Sequence, residues 1–235
     1  MNKLKKILIC FTLLFSSSLF SHSIADQNLV TIHGILGAPW NMYYLSNGFD
    51  KEKVNVLNWG YPSRDKKIQE HAVDLVADLK EMAAKSPGVP INFITHSMGG
   101  LILRAAMNVP DCPTEAKIGR AALLAPPNQG ASWGRYLAQY GIAVDLAKDF
   151  AGKELMTEKD FEHLGQFPDS MQVMVIAGNR SYNPLLPGES DGTVTVEETY
   201  LTTPHKHEII YAGHKTMVLS SEAKELVKKF FEEDL

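Results

Sequence analysis

One serine of the chain stands where a catalytic nucleophile is expected. Ser97 follows an apolar, strand-like run and precedes two glycines and a helix-like apolar pattern. A sharp strand-to-helix turn holds a serine hydroxyl away from the packed structure and aims backbone N–H groups at the place where an oxyanion forms. The pattern predicts a nucleophilic serine, which needs a base and a group that orients the base.

The predicted base is His214, one of eight histidines in the chain. It follows the last strand-like run and precedes the closing helix pattern, so it is expected at the same edge of the sheet as Ser97. His71 is expected on the outer side of a helix, and His96 is expected to point away from the site. The remaining candidates lie in the N-terminal segment, in a long irregular segment or beside the last strand: His22, His163, His205 and His207.

The predicted orienting acid is Asp191, which stands before Gly192 in a loop after a strand-like run. Asp-Gly is a common turn pair, and three other acids remain rivals. Position favours Asp191, because it gives the chain order serine, acid, histidine, which differs from the orders of chymotrypsin-like and subtilisin-like enzymes. The rivals are Glu189, Asp169 and Glu197.

Two backbone N–H groups are needed to bind an oxyanion. The N–H of Met98, at the start of the predicted helix, is one. The other is expected from the loop after the first strand, where glycines allow a close approach to a ligand. Ile35 is the predicted donor and Leu36 is the alternative, whereas the side chain of His33 is expected to brace this loop.

The elements that must position these residues alternate along the chain. Helical spacing of apolar residues predicts helices over 66–85, 98–107 and 223–231. Strands alternating with helices indicate an α/β fold, a mostly parallel sheet of about six strands with helices on both faces, whose ligands bind beyond the carboxyl ends of the strands. The predicted strands end near Ile32, Trp59, Thr95, Ala125, Ala177 and Ala212.

One segment interrupts this alternation. Residues 128–170 are too long for a simple connection and have a helical character. They are predicted to form a short helical cap that covers the site. An ordinary crossover helix followed by a loop is the alternative for part of the segment.

The first 25 residues have the pattern of a secretory signal peptide. Three lysines precede an apolar stretch that is short for a bilayer span, and small residues stand before Asp26. An uncleaved anchor is the alternative. Cleavage predicts an exported protein, periplasmic or extracellular, with no stable membrane anchor.

The expected mature chain, residues 26–235, suits one domain. Removal of three lysines takes the formal net charge from −4 to −7. Such a charge argues against nucleic acid and anionic membranes as partners. Only Cys112 would remain, so no intramolecular disulfide is possible and the core alone must stabilise the fold.

Five short motifs, in this order, resemble the α/β-hydrolase superfamily and, within it, small bacterial lipase/esterase-like proteins. The resemblance implies that Ser97 is the nucleophile, His214 the general base and acid, and Asp191 its orienting partner, with Met98 and Ile35 as backbone oxyanion donors. It also implies a reduced sheet. The motifs are His33-Gly34, Thr95-His96-Ser97-Met98-Gly99-Gly100, Leu124 to Gly130, Ser190 to Val194 and His214 to Met217.

The turn around Ser97 departs from the family pattern at one position. Glycine is usual two residues before the nucleophile, because strand and helix pass close together there. This chain has Thr95 instead. Gly99 and Gly100 are expected to supply the missing room, so the turn is interpreted as a variant that retains its function.

These features predict hydrolysis of a carboxylic ester through an acyl-enzyme, with a small-molecule or lipid-like substrate. Leu36, Trp40 and Tyr43 are expected to line an apolar substrate pocket, although aromatic residues are also explained by packing. An acyltransferase that uses the same acyl-enzyme is one alternative. A non-catalytic binding protein is another.

No cofactor and no metal are required by this chemistry. His205 and His207 stand two residues apart, a spacing that can bind a metal on a strand. No carboxylate or cysteine is assignable to them, so they are expected to be a solvated entry to the last strand.

Overall fold

The computed structural model describes residues 27–49, 53–140, 150–181 and 183–232. The predicted signal peptide, residues 1–25, lies outside the described residues. The described chain forms one six-stranded sheet in the order β2-β1-β3-β4-β5-β6, with every neighbouring pair parallel. The strands are β1 Gln27–Ile32, β2 Val54–Trp59, β3 Ile91–His96, β4 Arg120–Leu124, β5 Gln172–Gly178 and β6 Lys206–Ile210.

The carboxyl ends of the central strands meet at one edge of the sheet. His96, the last residue of β3, pairs with Leu124 of β4, and Leu124 pairs with Ile176 of β5. Gly178 of β5 pairs with Ile210 of β6. The loops that follow these four strands therefore emerge side by side, as a parallel sheet requires.

Helices connect the strands and cover both faces of the sheet. Among the described residues, none of the helices combines the length and the apolar character needed to cross a bilayer. The α-helices are α1 Tyr43–Ser46, α2 Ile68–Lys85, α3 Met98–Met107, α4 Thr114–Lys117, α5 Ser132–Gln139, α6 Ala151–Thr157 and α7 Ser221–Glu232. Short 3-10 turns lie at Pro39–Met42, Glu162–Leu164, Glu197–Thr199 and Met217–Leu219.

The alternation of side chains along each strand divides the core into two layers. Phe93 of β3 packs in the layer with α2 and α3, whereas the next residue, Ile94, packs in the layer with α1 and α7. Leu123 and Leu124 of β4 divide in the same way. Successive strand residues point to opposite faces, so a strand covered on both sides is mainly apolar. The predicted α/β architecture is confirmed.

The predicted position of His71 is wrong. This residue of α2 has no solvent exposure, and its ring meets the edge of the Tyr61 ring at 4.8 Å between centroids. Neither ring nitrogen has a hydrogen-bond partner among the described residues. Burial lowers the pKa of His71, so the ring is held in its neutral form.

The insertion, residues 128–170, contains α5, α6 and a 3-10 turn in its described part; residues 141–149 lie outside the description. Glu154 of α6 accepts a hydrogen bond from the N–H of Ile68, at the first residue of α2. The buried guanidinium of Arg104, on α3, donates to the backbone oxygen of Phe161 and the side-chain oxygen of Asn128. The described part of the insertion thus contains helices, and these hydrogen bonds join it to α2 and α3. Whether it covers Ser97 stays a prediction.

Candidate active site

The turn at Ser97 is strained. Ser97 has φ 54° and ψ −125°, a conformation that costs free energy for a residue other than glycine and that persists where the surrounding structure enforces it. Its N–H donates to the backbone oxygen of Leu124 across 2.8 Å. A Cβ atom on Gly99 would lie 2.5 Å from the backbone oxygen of Ile32. The glycine thus lets α3 pass directly against the end of β1.

The structure brings the three predicted polar residues together. The Oγ atom of Ser97 lies 3.0 Å from Nε2 of His214, and Nδ1 of His214 lies 2.7 Å from Oδ2 of Asp191. In the neutral histidine, the Nδ1–H donates to the carboxylate, which leaves Nε2 free to accept from the serine hydroxyl. This arrangement can draw a proton from Ser97.

Backbone hydrogen bonds fix the orientation of Asp191. Its Oδ1 atom accepts from the N–H groups of Thr193 and Val194 at 2.9 and 2.8 Å, and its backbone oxygen accepts from the N–H of His214 at 2.9 Å. Both carboxylate oxygens are therefore in use. Among the described residues, none of the rival acids named above forms a hydrogen bond or an ion pair with His214.

The loop after β1 distinguishes between the two possible oxyanion donors. The N–H of Leu36 donates to Oγ of Ser63 across 3.0 Å, so it is occupied. The N–H of Ile35 has no hydrogen-bond partner among the described residues. The N–H of Met98, the first residue of α3, has no intrahelical acceptor. A Cβ atom on Gly34 would lie 3.0 Å from Cβ of Ser97, so the loop runs directly beside the serine.

His33 braces this loop, in the way the sequence predicts. Its Nδ1–H donates to the backbone oxygen of Gly34 across 2.8 Å, and its ring stacks on Tyr61 at 4.3 Å. The Tyr61 hydroxyl donates to the backbone oxygen of His33. Burial lowers the pKa of His33 and raises that of Tyr61, so both groups stay neutral and neither suits proton transfer.

His96 is the site residue that the sequence interpretation missed. It was expected to point away, but its Nε2–H donates to the backbone oxygen of His214 across 2.9 Å. The two rings lie 4.8 Å apart. Burial, with a smaller contribution from the nearby His214, lowers the pKa of His96 to about 3. His96 is therefore neutral and adds no positive charge beside His214. Its position next to Ser97 was the available signal.

Thr95 is accommodated by one of the two glycines named for that purpose. The side chain of Thr95 is fully buried, and its Oγ1 atom has no hydrogen-bond partner in the described chain. A Cβ atom on Gly100 would lie 3.3 Å from this oxygen and 3.0 Å from Cβ of Pro126. Gly100 provides room beside Thr95, whereas Gly99 provides room for the end of β1.

The predicted substrate pocket needs correction. Leu36, Trp40 and Tyr43 are 74%, 76% and 51% exposed, so they form an open apolar surface beside the loop after β1 and not the wall of an enclosed pocket. Trp40 lies in the short 3-10 turn at Pro39–Met42, in which only Met42 is turned into the core. A groove of about 740 Å³ lies elsewhere, between the start of β5 and the start of β6.

His205 and His207, at the entry to the last strand, are half-buried, whereas solvated side chains were predicted. His207 stacks on Tyr200 at 3.9 Å, and its Nε2–H donates to Oγ1 of Thr199, whose own proton is used on Val196. Nδ1 of His205 donates to the backbone oxygen of Thr203. Both rings thus have structural partners. The described residues contain no cluster of histidine, cysteine and acidic side chains that could hold a metal ion.

The parallel sheet, the strained serine between β3 and α3, and the histidine after β6 together define the α/β-hydrolase fold. The protein has this fold. No protein-family model matches the sequence, and no curated protein sequence matches it.

Solved structures of lipases and esterases are similar to the chain. The mature lipase BlEst2 of Bacillus licheniformis has a TM-score of 0.70 at 19% identity, covering 88% of this chain and 92% of the lipase. The metagenomic carboxyl esterase MGS0156 has a TM-score of 0.67 at 15% identity, covering 91% of this chain and 77% of the esterase. Lipase B of Aspergillus fumigatus has a TM-score of 0.62 at 10% identity, covering 92% of this chain and 55% of the lipase.

These likenesses establish the fold and not the activity, because the identities are low. They include a bacterial and a fungal enzyme, so the narrower resemblance to small bacterial lipases stays a prediction.

Proposed function

We propose that the protein is a serine hydrolase that cleaves carboxylic esters. One observation carries the proposal: the continuous hydrogen-bond chain from Ser97 through His214 to Asp191. The similarity to proteins named lipases and carboxyl esterase supports the same class of reaction.

The proposed reaction begins with acylation. Oγ of Ser97 attacks the carbonyl carbon of the ester while its proton passes to Nε2 of His214. Asp191 stabilises the imidazolium that forms. The carbonyl oxygen becomes an oxyanion, which accepts hydrogen bonds from the N–H groups of Ile35 and Met98. When the intermediate collapses, the C–O bond to the alcohol breaks and Nε2–H protonates the leaving alkoxide.

Deacylation follows the same path with water. Nε2 of His214 takes a proton from water, whose oxygen attacks the acyl carbon bound to Ser97. Collapse of the second intermediate releases the carboxylic acid and returns the proton to Oγ. Side chains, backbone N–H groups and water account for every step of this mechanism.

The substrate class follows from the surface beside the site. Three large apolar side chains, Leu36, Trp40 and Tyr43, are exposed next to the loop that carries Ile35. They favour an ester with an apolar acyl or alkyl part over a highly charged substrate. The pattern of residues 1–25 supports export to a periplasm or to the outside of the cell as part of the proposal.

Labelling with a fluorophosphonate probe tests the assignment. We expect wild-type protein to be labelled and Ser97→Ala to be unlabelled at equal folded concentration. A panel of p-nitrophenyl esters of different acyl length, with and without an added alcohol, then distinguishes hydrolysis from acyl transfer. An unlabelled wild-type protein, or equal labelling of Ser97→Ala, would contradict the proposed function.

A further inference from the structure

A second buried carboxylate, that of Glu198, is hydrogen-bonded to Thr195 in the loop that carries Asp191 and has no role in the proposed reaction. Glu198 belongs to the 3-10 turn at Glu197–Thr199, and its side chain is 8% exposed. Its neighbour Glu197 is exposed. A buried carboxylate is unfavourable unless several donors compensate for the lost water. The donors to Glu198 come from two different parts of the fold.

One oxygen of Glu198 closes the hairpin that presents Asp191. This acid hairpin, residues 189–196, is held by a bridge between Ser190 and Thr195. Oε2 of Glu198 accepts from the N–H of Thr195 at 3.0 Å, while Oγ1 of Thr195 accepts from the N–H of Glu198 at 3.2 Å. This reciprocal pair is the capping-box arrangement. The carboxylate therefore fixes the carboxyl-terminal arm of the acid hairpin.

The other oxygen holds the insertion. Oε1 of Glu198 accepts from the N–H of Ser132 at 2.5 Å, at the first residue of α5. The positive end of the helix and Arg135, whose Nη2 atom lies 3.6 Å away, both favour the negative charge. The N–H of Gln129 adds a hydrogen bond to the backbone oxygen of Glu198. The start of the insertion is thus fixed to the same turn.

We propose that Glu198 is a positioning residue that couples the insertion to the acid hairpin. Its two oxygens have separate tasks: Oε2 holds the hairpin that carries Asp191, and Oε1 holds the helix that begins the insertion. When α5 moves away from the sheet, the hydrogen bond from the N–H of Ser132 to Oε1 breaks. Only Oε2 of Glu198 then still holds the acid hairpin. The coupling rests on the proposed function, because it assigns the insertion a part in substrate selection at Ser97.

Two variants separate the two contacts. Glu198→Gln leaves one oxygen for two N–H donors, so it weakens both. Ser132→Pro removes the N–H donor on α5, together with the Oγ atom to which Arg135 donates, and it keeps the bond between Glu198 and Thr195. Proline is accepted at the first residue of a helix. Glu197→Gln, which changes the exposed neighbour, is the matched control.

The measurement is kcat/KM for a long-chain and a short-chain p-nitrophenyl ester. The long-to-short ratio is kcat/KM for the long-chain ester divided by kcat/KM for the short-chain ester. We expect Glu198→Gln and Ser132→Pro each to change this ratio by about ten-fold, which is a typical effect of coupling between two sites. Glu197→Gln should leave the ratio unchanged. We expect kcat for the short ester to fall in Glu198→Gln but to stay near the wild-type value in Ser132→Pro. The double variant should have the ratio of Glu198→Gln alone, because both changes act on the same hydrogen bond, that from the N–H of Ser132 to Glu198.

Three outcomes would overturn the coupling. The first is a lower melting temperature in Glu198→Gln or Ser132→Pro with an unchanged long-to-short ratio, which indicates a structural role only. The second is a double variant in which the two effects add. The third is wild-type protein that fluorophosphonate does not label, which contradicts the proposed function as well.

The two proposals can be told apart. If the wild-type protein is labelled but the variants do not change the long-to-short ratio, only the coupling is contradicted. Because Ser132→Pro keeps the buried carboxylate, it carries the test even if Glu198→Gln does not fold.

Discussion

The ring of His96 holds the backbone of His214: its Nε2–H lies 2.9 Å from the carbonyl oxygen of that residue. His96 is also the residue before Ser97, and a Cβ atom on Gly34 would lie 3.1 Å from its Nδ1 atom. The imidazole of His96 thus contacts both the loop after β1 and the loop after β6. The backbone of His96 leads into the strained turn at Ser97. We therefore expect the spacing between Ser97 and His214 to depend on this contact.

The first prediction concerns this contact. His96→Phe keeps the ring volume but loses the donor to His214, so the imidazole of His214 is free to shift. We expect kcat for ester hydrolysis to fall by about ten- to a hundred-fold, because displacements near 1 Å have effects of that order. His96→Gln, which restores an N–H donor, should recover part of the loss. Equal kcat values for the wild-type protein and His96→Phe would contradict the assignment.

The second prediction concerns Asp191. Asp191→Asn keeps the shape of the side chain but places an amide, which can donate, where Nδ1–H of His214 must donate. We expect kcat to fall by roughly 10⁴-fold, the effect known for such a change in a serine protease triad. Glu189→Gln in the same hairpin serves as the control. Circular dichroism and kcat together distinguish loss of chemistry from loss of fold.

The third prediction concerns the loop beside the serine. A methyl group on Gly34 would lie 3.0 Å from Cβ of Ser97, which is tighter than ordinary packing allows. Gly34→Ala should therefore move the loop and displace the N–H of Ile35. We expect a loss of about a hundred- to a thousand-fold in kcat, comparable with removal of one oxyanion donor. A change in KM without a change in kcat would contradict this role.

The fourth prediction concerns the stability of the unusual turn. The hydroxyl of Thr95 is buried and has no partner in the described chain, whereas a valine of nearly the same shape has no polar group to desolvate. We expect Thr95→Val to raise the free energy of unfolding by about 1 kcal/mol. Chemical denaturation with urea measures the difference. A decrease in stability would indicate that the hydroxyl is hydrogen-bonded in solution.

The fifth prediction concerns pH. Burial lowers the pKa of His71 in the folded state below its ordinary value of 6.5, so the unfolded chain binds more protons as the pH falls through this range. The stabilising contribution is complete above about pH 6.5 and is lost progressively below it. We expect His71→Phe to reduce the slope of the unfolding free energy against pH below 6.5. An unchanged slope would show that other groups control acid unfolding.

Much of the fold could be predicted from local patterns. The predicted helix over 98–107 has the observed bounds Met98–Met107, and the predicted helix over 66–85 begins two residues later, at Ile68. The end of the last strand, predicted near Ala212, is two residues too late, since β6 ends at Ile210. Helices and strands are predicted from the spacing of apolar side chains a few residues apart, and this spacing can be read from a single sequence.

The errors have two physical causes. His71 stands three residues after Ile68 and four before Leu75, on the buried stripe of α2, but its polar side chain suggested exposure. The roles of His96 and Glu198 depend on contacts across 118 and 66 residues of chain. Nothing in the local spacing encodes such contacts. The exposure of Trp40 likewise depends on how a short turn leaves the sheet.

The guanidinium of Arg104 has a consequence for how this protein can change over evolutionary time. It joins residues near the two ends of the insertion, Asn128 and Phe161, to the helix that begins at the nucleophile. Exchange of the sequence between these anchors, apart from the residues that bind Glu198 and Ile68, would leave the contacts of Arg104 to α3 in place. We expect the sequence between Asn128 and Phe161 to vary more than the residues around Ser97. Substrate preference can then change in evolution while the residues of the proposed reaction stay the same.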